Sequence, residues 1–174
     1  MLSADQVIGV DLGGTAIKLA RFDRKGELLA EDQIPTPQPA MPGGVVTAIV
    51  DAVAALDPEG LARRVGIGLP GPMDAEARVA RVCINLPGWQ QVPLAEWLEP
   101  QLQRRVTLAN DGNCALMGEA WRGAAVGYDD VLLLTLGTGV GGGVLLNGPT
   151  LQRPWRRRGG AGVNQRGSRG PPLQ

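Results

Sequence analysis

The chain has 174 residues, 44% of them apolar, which supports a packed core of one domain or two small ones and argues against a chain disordered throughout. Its formal charge is zero but uneven: residues 149–174 hold six arginines and no acid, and residues 1–148 are net −6, so the body shows no basic nucleic-acid footprint. No apolar run approaches the roughly 18 residues of a membrane span, no secretory signal pattern opens the chain, and two cysteines are too few for a disulfide framework, so a reducing cytoplasm is the expected location.

Val7 to Val10 reads as a strand, Asp11-Leu12-Gly13-Gly14-Thr15 as a turn, and Ala16 to Phe22 as a second strand. A turn at residues 23–26 leads to a third strand, Glu27 to Ile34, so the N-terminus is expected to be an antiparallel meander. Pro35 to Gly44 is a loop. Val45, Ile49, Ala52, Val53 and Leu56 stand at helical spacing, and Asp57-Pro58 ends that helix. Arg64 to Leu69 is a short buried strand, followed by the tight turn Pro70-Gly71-Pro72. Residues 73–91 are mostly loop, with Val79 to Ile84 extended at most. Pro93 suits the first turn of a helix through Leu94, Trp97, Leu98 and Leu102, which Pro100 should kink. Arg105 to Leu108 is a strand, Ala109 to Asn113 a junction of turn formers, and Cys114 to Arg122 a helix. Val131 to Leu136 and Val144 to Leu146 are strands joined by a glycine turn. From Pro149 onward the chain is rich in Arg, Gly and Pro without a periodic apolar face, and no secondary structure is assigned to it.

The composition narrows the chemistry. There is no histidine, which excludes Ser-His-Asp triads, Cys-His pairs and histidine metal sites. The two serines, Ser3 and Ser168, lie near the termini, and no Gly-x-x-x-x-Gly-Lys-Ser/Thr loop occurs. Carboxylates and glycine turns remain. At Asp11 to Thr15 the glycines let successive N–H groups converge on an anion, Thr15 adds a donor, and Asp11 can hold Mg²⁺ through water; an ordinary hairpin turn is the competing reading. Residues 137–143 hold five glycines in seven residues, including a formal Gly-x-Gly-x-x-Gly at Gly137, Gly139 and Gly142. A dinucleotide fingerprint needs a helix directly after the glycines. A β-type run follows instead, so a hairpin phosphate loop is expected. In Asn110-Asp111-Gly112-Asn113, Asp111 either takes a hydroxyl proton while Asn110 orients the same substrate, or Asp111 or Asn113 merely caps the helix. Trp89 and Trp97 are assigned to packing, and Cys83 and Cys114 to inert small hydrophobes.

Together and in order, these motifs resemble the ROK family of sugar kinases, its bacterial glucokinases in particular. The resemblance rests on Val7 to Thr15, Gly66 to Gly71, Asn85-Leu86-Pro87-Gly88-Trp89, Asn110 to Ala115 with Gly118-Glu119-Ala120, and Leu136 to Gly143, and it covers residues 7 to about 148. It implies an α/β, actin-like ATPase (ribonuclease H-like) fold. The first lobe would occupy residues 1–122, the first hairpin of an incomplete second lobe 123–148, and a basic tail, disordered or out of frame, 149–174. It implies ATP-dependent phosphorylation of a hexose, foremost glucose at its 6-hydroxyl, with fructose or an N-acyl hexosamine as alternatives. Asp111 would be the general base, and Asn110, Gly71 and Asn85 would line the sugar pocket. Gly13, Gly14, Thr15, Gly137, Thr138, Gly139, Gly141 and Gly142 would hold the ATP phosphates, with Mg²⁺ at Asp11. Homodimers are implied only for full-length members, and neither nucleic acid nor membrane is an expected partner. A sugar-responsive repressor of the family would need a helix-turn-helix before the first strand, which begins here at about residue 7. The family's Gly-Glu-x-Gly-His motif and zinc motif do not occur in these 174 residues. The expectation is therefore a chain truncated or frameshifted after about residue 148, with inactivity expected of it as it stands.

Overall fold

The computed structural model describes residues 6–83, 85–136 and 140–148. The sequence alternates apolar and polar residues at the N-terminus, and the backbone follows with β1 (Gln6–Leu12), β2 (Ala16–Phe22) and β3 (Leu28–Pro35) in an antiparallel meander. Ile8, Val10, Leu12, Ile17 and Leu19 are buried on one face, and Gly9, Asp11 and Lys18 fall on the other.

Helix α1 (Pro42–Leu56) crosses back over the buried face. It starts three residues before the expected Val45, because Pro42 has a φ suited to the first helical position and its missing N–H costs nothing there. Its stripe Val45, Ile49, Ala52, Val53 and Leu56 faces the core as the spacing predicts. Strand β4 (Ala62–Leu69) then runs parallel to β1. A small ribbon follows, β5 (Ala80–Val82) antiparallel to β6 (Gln90–Val92), where the sequence predicts only loop with one extended stretch. Helix α2 (Leu94–Leu102) packs on α1 and contains Pro100. Pro93 is its N-cap rather than a residue of its first turn. Leu94, Ala95, Leu98 and Leu102 are its buried side; Trp97 points away and is 41% exposed, which corrects its assignment to packing. Trp89 is buried, and its Nε1 donates to the Ala40 carbonyl at 2.8 Å, pinning the β5–β6 turn to the core as expected.

Strand β7 (Arg105–Asn110) adds parallel to β4, completing a five-stranded sheet of order β3-β2-β1-β4-β7. Helix α3 (Asp111–Arg122) follows with no intervening turn. The start expected at Cys114 is three residues late, because Asn110 caps the helix directly from the end of the strand. Asp111 in the first turn and Arg122 in the last match the helix dipole. Helix α3 packs against a separate hairpin, β8 (Val131–Leu136) with β9 (Val140–Leu145). Strand β9 begins four residues before the expected Val144 and takes in Gly141, Gly142 and Gly143. Among the described residues, no helix is long and apolar enough to cross a membrane.

The loops are held by a buried charge. The Asp57 carboxylate ends α1, pairs with Arg21 at 2.7 Å and Arg104 at 3.0 Å, and accepts the amides of Leu61 and Ala62. Burial alone would raise its pKa; these amides and guanidiniums outweigh that and hold it below the usual carboxylate range.

Candidate functional site

Three parallel strands end at one edge of the sheet, and each end carries one of the predicted motifs. The register sets Asp11 of β1 beside Gly68 of β4, and Leu69 of β4 beside Asn110 of β7. Ligands of open α/β sheets sit at this carboxyl edge. A cleft of about 1080 Å³ lies over the polar face of the sheet and reaches toward this edge, lined by Asp11, Lys18, Gly68, Asp111, Cys114 and Thr135 among others.

Asn110 closes β7 and opens α3. Its Oδ1 accepts the amide of Asn113 at 3.2 Å, and its Nδ2 donates to the Gly71 carbonyl at 3.4 Å. The expected cap, Asp111 or Asn113, is therefore Asn110 instead, and Asp111 is released from that task. Asp111 is the first helical residue, is exposed to the cleft, and among the described residues accepts only the adjacent Gly112 amide, at 2.8 Å.

Asp11 lies on the same face of the sheet. Burial pushes its carboxyl above the usual carboxylate range; Lys18 opposes that shift, and the negative charge of Asp111 adds to it. Lys18 is the cross-strand partner of Asp11 and lines the cleft. No motif singles it out in the sequence, although hairpin register with period-two alternation places it opposite Asp11. The Gly13-Gly14-Thr15 turn is closed by the Gly13 amide on the Ala16 carbonyl at 3.0 Å. Thr36 and Gln38 donate to the carbonyls of Gly13 and Gly14, at 2.7 and 3.0 Å. Gly14 and Thr15 form the exposed tip.

Gly71 has φ +151, and a Cβ there would stand 1.9 Å from the Val82 carbonyl oxygen, so only glycine fits. That contact brings the β5–β6 turn, which carries exposed Asn85, against the turn after β4. The next residue, Leu86, reaches within 4.0 Å of a Cβ built on Gly14. The turns that carry Gly71, Asn85 and Gly13-Gly14, scattered along the sequence, are thus brought close to one another. Gly141 and Gly142 are strand residues of β9 rather than part of a turn. A Cβ on Gly112 would lie 2.7 Å from the Gly142 carbonyl oxygen, so Gly112 lets the N-terminus of α3 rest directly on β9. Gly137, Thr138 and Gly139 lie outside the described residues, as do the tail residues 149–174.

The cysteines divide. Cys83 is buried, and burial first, then the charge of Asp111, pushes its thiol up to about 11. Cys114 is exposed and lines the cleft. Its Sγ packs 3.3 Å from a Cβ built on Gly68, and burial, then Asp11 and Asp111, push its thiol up, against thiolate chemistry. Among the described residues, no group of three His, Cys, Asp or Glu side chains is placed to hold a metal.

Comparison with known proteins shows the family and the fold. The model of the ROK family matches residues 7–163, running past Gly148, the expected end of the resemblance. A glucokinase of Thermotoga maritima is 37% identical over 143 residues, 82% of this chain and 45% of that protein. An N-acetyl-D-glucosamine kinase of Salmonella paratyphi A is 41% identical over 141 residues, 80% of this chain and 46% of that one. The crystal structure of a ROK family glucokinase from Streptomyces griseus, in complex with glucose and AMPPNP, superposes with TM-score 0.75 at 37% identity, covering 82% of this chain and 45% of that one. The chain spans about half the length of the curated relatives it matches.

Proposed function

The chain belongs to the ROK family, with the actin-like ATPase fold of its sugar kinases, and from that premise we propose that it carries the base and the first phosphate turn of an ATP-dependent hexose kinase. The observation that carries the reading is Asp111: a cleft-facing carboxylate freed from capping by Asn110 and set across from the Asp11 to Thr15 turn. A sugar hydroxyl placed against Asp111 loses its proton to that carboxylate as its oxygen bonds to the γ-phosphorus and ADP departs. Asn110, held by Gly71, and Asn85 orient the sugar. Gly13, Gly14 and Thr15 receive the phosphates, with Lys18 adding positive charge, and the glycines at 137, 139, 141 and 142 with Thr138 form the second phosphate-holding segment. Asp11 fits Mg²⁺ held through water, since a single strand-end carboxylate leaves most of the octahedron to solvent. When bound, the ion offsets charge on the β- and γ-phosphates.

Glucose is the proposed substrate, with the 6-hydroxyl as acceptor; an N-acyl hexosamine is the second choice, motivated by the 41% identical relative. An ATP-dependent assay with glucose, N-acetylglucosamine and fructose on the 174-residue chain tests this. Turnover lost on Asp111→Asn supports the assignment, and turnover indifferent to that change sinks it. A second reading, binding of the same ligands without turnover, is favoured by one observation. On β8, Leu132, Leu134 and Leu136 are 67%, 63% and 82% exposed, an apolar face that needs cover. Calorimetric glucose binding with no product formed is its signature.

A further inference from the structure

A second cavity, of about 500 Å³, lies at the opposite edge of the sheet, where β1 and β4 begin and β2 ends. Helix α3 joins the two edges: Asp111 starts it at the cleft, and Trp121, ten residues and about 15 Å further on, lines the second cavity. Trp121 is wedged there, since a Cβ on Gly26 would lie 2.0 Å from its ring, and Arg122 pairs with Glu27 at 3.0 Å beside it.

Arg24, Arg63 and Arg64 line this cavity, and none of them forms an ion pair among the described residues. Arg64 also stands beside Arg105 in the strand register, so like charges are juxtaposed there. The lining carboxylate, Asp23, has its Oδ1 committed to the amides of Lys25 and Glu27. Gln6 contributes a buried Oε1 that has no hydrogen-bond partner among the described residues. A buried acceptor of this kind calls for a donor. The cavity therefore offers three guanidiniums for a dianion, an acceptor for a hydroxyl, and an indole for a carbon skeleton, in a volume larger than bare phosphate needs.

We infer that this cavity binds a hydroxylated phosphate monoester, of the sugar phosphate class. That class includes the product of the proposed kinase reaction, so the meaning of the site for regulation rests on that reading, while the binding itself does not. Arginine holds phosphate through paired N–H donors, and the wedged Trp121 makes the site visible to indole fluorescence.

Glucose 6-phosphate, inorganic phosphate and glucose, titrated calorimetrically into the 174-residue chain, test the inference without any turnover. Glucose 6-phosphate is expected to bind saturably and more tightly than inorganic phosphate. The Arg63→Gln/Arg64→Gln chain should bind it about tenfold more weakly or worse. Arg24→Ala, an exposed change, should weaken it by a smaller factor and decides the matter if the double variant melts early. Asp111→Asn should leave this binding intact. No saturable binding, affinity unaltered by both arginine variants, or loss confined to Asp111→Asn each overturns the site. Failure of the kinase assay leaves these titrations unaffected, so the two readings fail separately.

Discussion

The side chain of Asn110 serves two elements at once: its Nδ2 donates to the Gly71 carbonyl at 3.4 Å while its Oδ1 caps α3 through the Asn113 amide at 3.2 Å. The turn after β4 and the helix after β7 are therefore positioned by one carboxamide, and Asp111 inherits its place from both.

Replacing that carboxamide separates the two tasks. Asn110→Ala removes the cap and is expected to cost about 1 kcal/mol in a denaturant melt. Asn110→Asp keeps the acceptor and loses the donor, and it turns a carboxylate toward the Gly71 carbonyl beside Asp111. Its stability should stay within a few tenths of a kcal/mol of the parent cap, while glucose affinity measured by calorimetry falls. Equal loss of stability in both variants would show that the Gly71 bond, not the cap, is the structural one.

Asp111→Asn should reduce turnover by roughly 10²–10⁴, the usual worth of a general base. The fold should tolerate it, because the carboxylate is exposed and, among the described residues, bonds only the neighbouring Gly112 amide. A steady-state assay read beside a thermal melt decides. A fall in rate with an unchanged Tm assigns the proton transfer to Asp111, and a matching fall in both assigns it to structure.

Much of this arrangement is legible in the residues. The meander follows from alternation broken by glycine turns, and α1 follows from a five-residue apolar stripe. What escapes is set by partners distant in sequence. Strand β6 is three residues long, too short for any period, and exists because β5 is there to pair with it. Trp97 shares its helix with four buried residues, and only the packing of α2 decides which side it falls on. The tie from Asn110 to Gly71 spans 39 positions. Gly141 and Gly142 read as loop by composition; a Cβ on either would run into β8, at Thr135 and Leu133, and a Cβ on Gly143 would meet Leu116 of α3 at 2.9 Å, contacts that no local pattern announces. Lys18 escapes notice because a lysine on a strand looks like solvated surface until the register sets it against Asp11.

Gly71→Ala is expected to be among the most harmful single-methyl changes in the chain. Left-handed backbone at a non-glycine costs about 1–3 kcal/mol, and here the added Cβ would also stand 1.9 Å from the Val82 carbonyl oxygen. The β5–β6 ribbon must move away, taking Asn85 with it. Thermal melts should show a fall in Tm, and glucose affinity should drop in the fraction that stays folded. An unaltered melt would mean that the turn after β4 rearranges freely.

Asp57→Ala should destabilise by roughly 3–5 kcal/mol, because it strands two guanidiniums in a buried site. Arg21 and Arg104 both pair with this carboxylate, and its side chain is fully enclosed. The amides of Leu61 and Ala62 would lose their acceptor as well. Urea unfolding of the variant measures the cost. A loss below about 1 kcal/mol would show that water replaces the carboxylate.

Stability should fall in acid through Glu99. The paired bonds from Arg78, at 3.0 and 2.6 Å, and then the amide of Val106 hold its carboxyl at about 2, well below an ordinary glutamate. A folded-state pKa below the unfolded one means that the unfolded chain binds the proton more readily. The contribution of Glu99 is thus fully present above about pH 5 and fades as pH falls from there toward 2. Part of the ion pair is open to solvent, which screens it and keeps the effect modest. Glu99→Gln keeps an acceptor for the Val106 amide and removes the charge, so it should lower Tm at about pH 7 and flatten the decline between about pH 5 and 3. Parallel pH profiles of Tm for the two chains isolate the difference. If they run parallel across that window, the link between α2 and the start of β7 does not depend on the charge of Glu99.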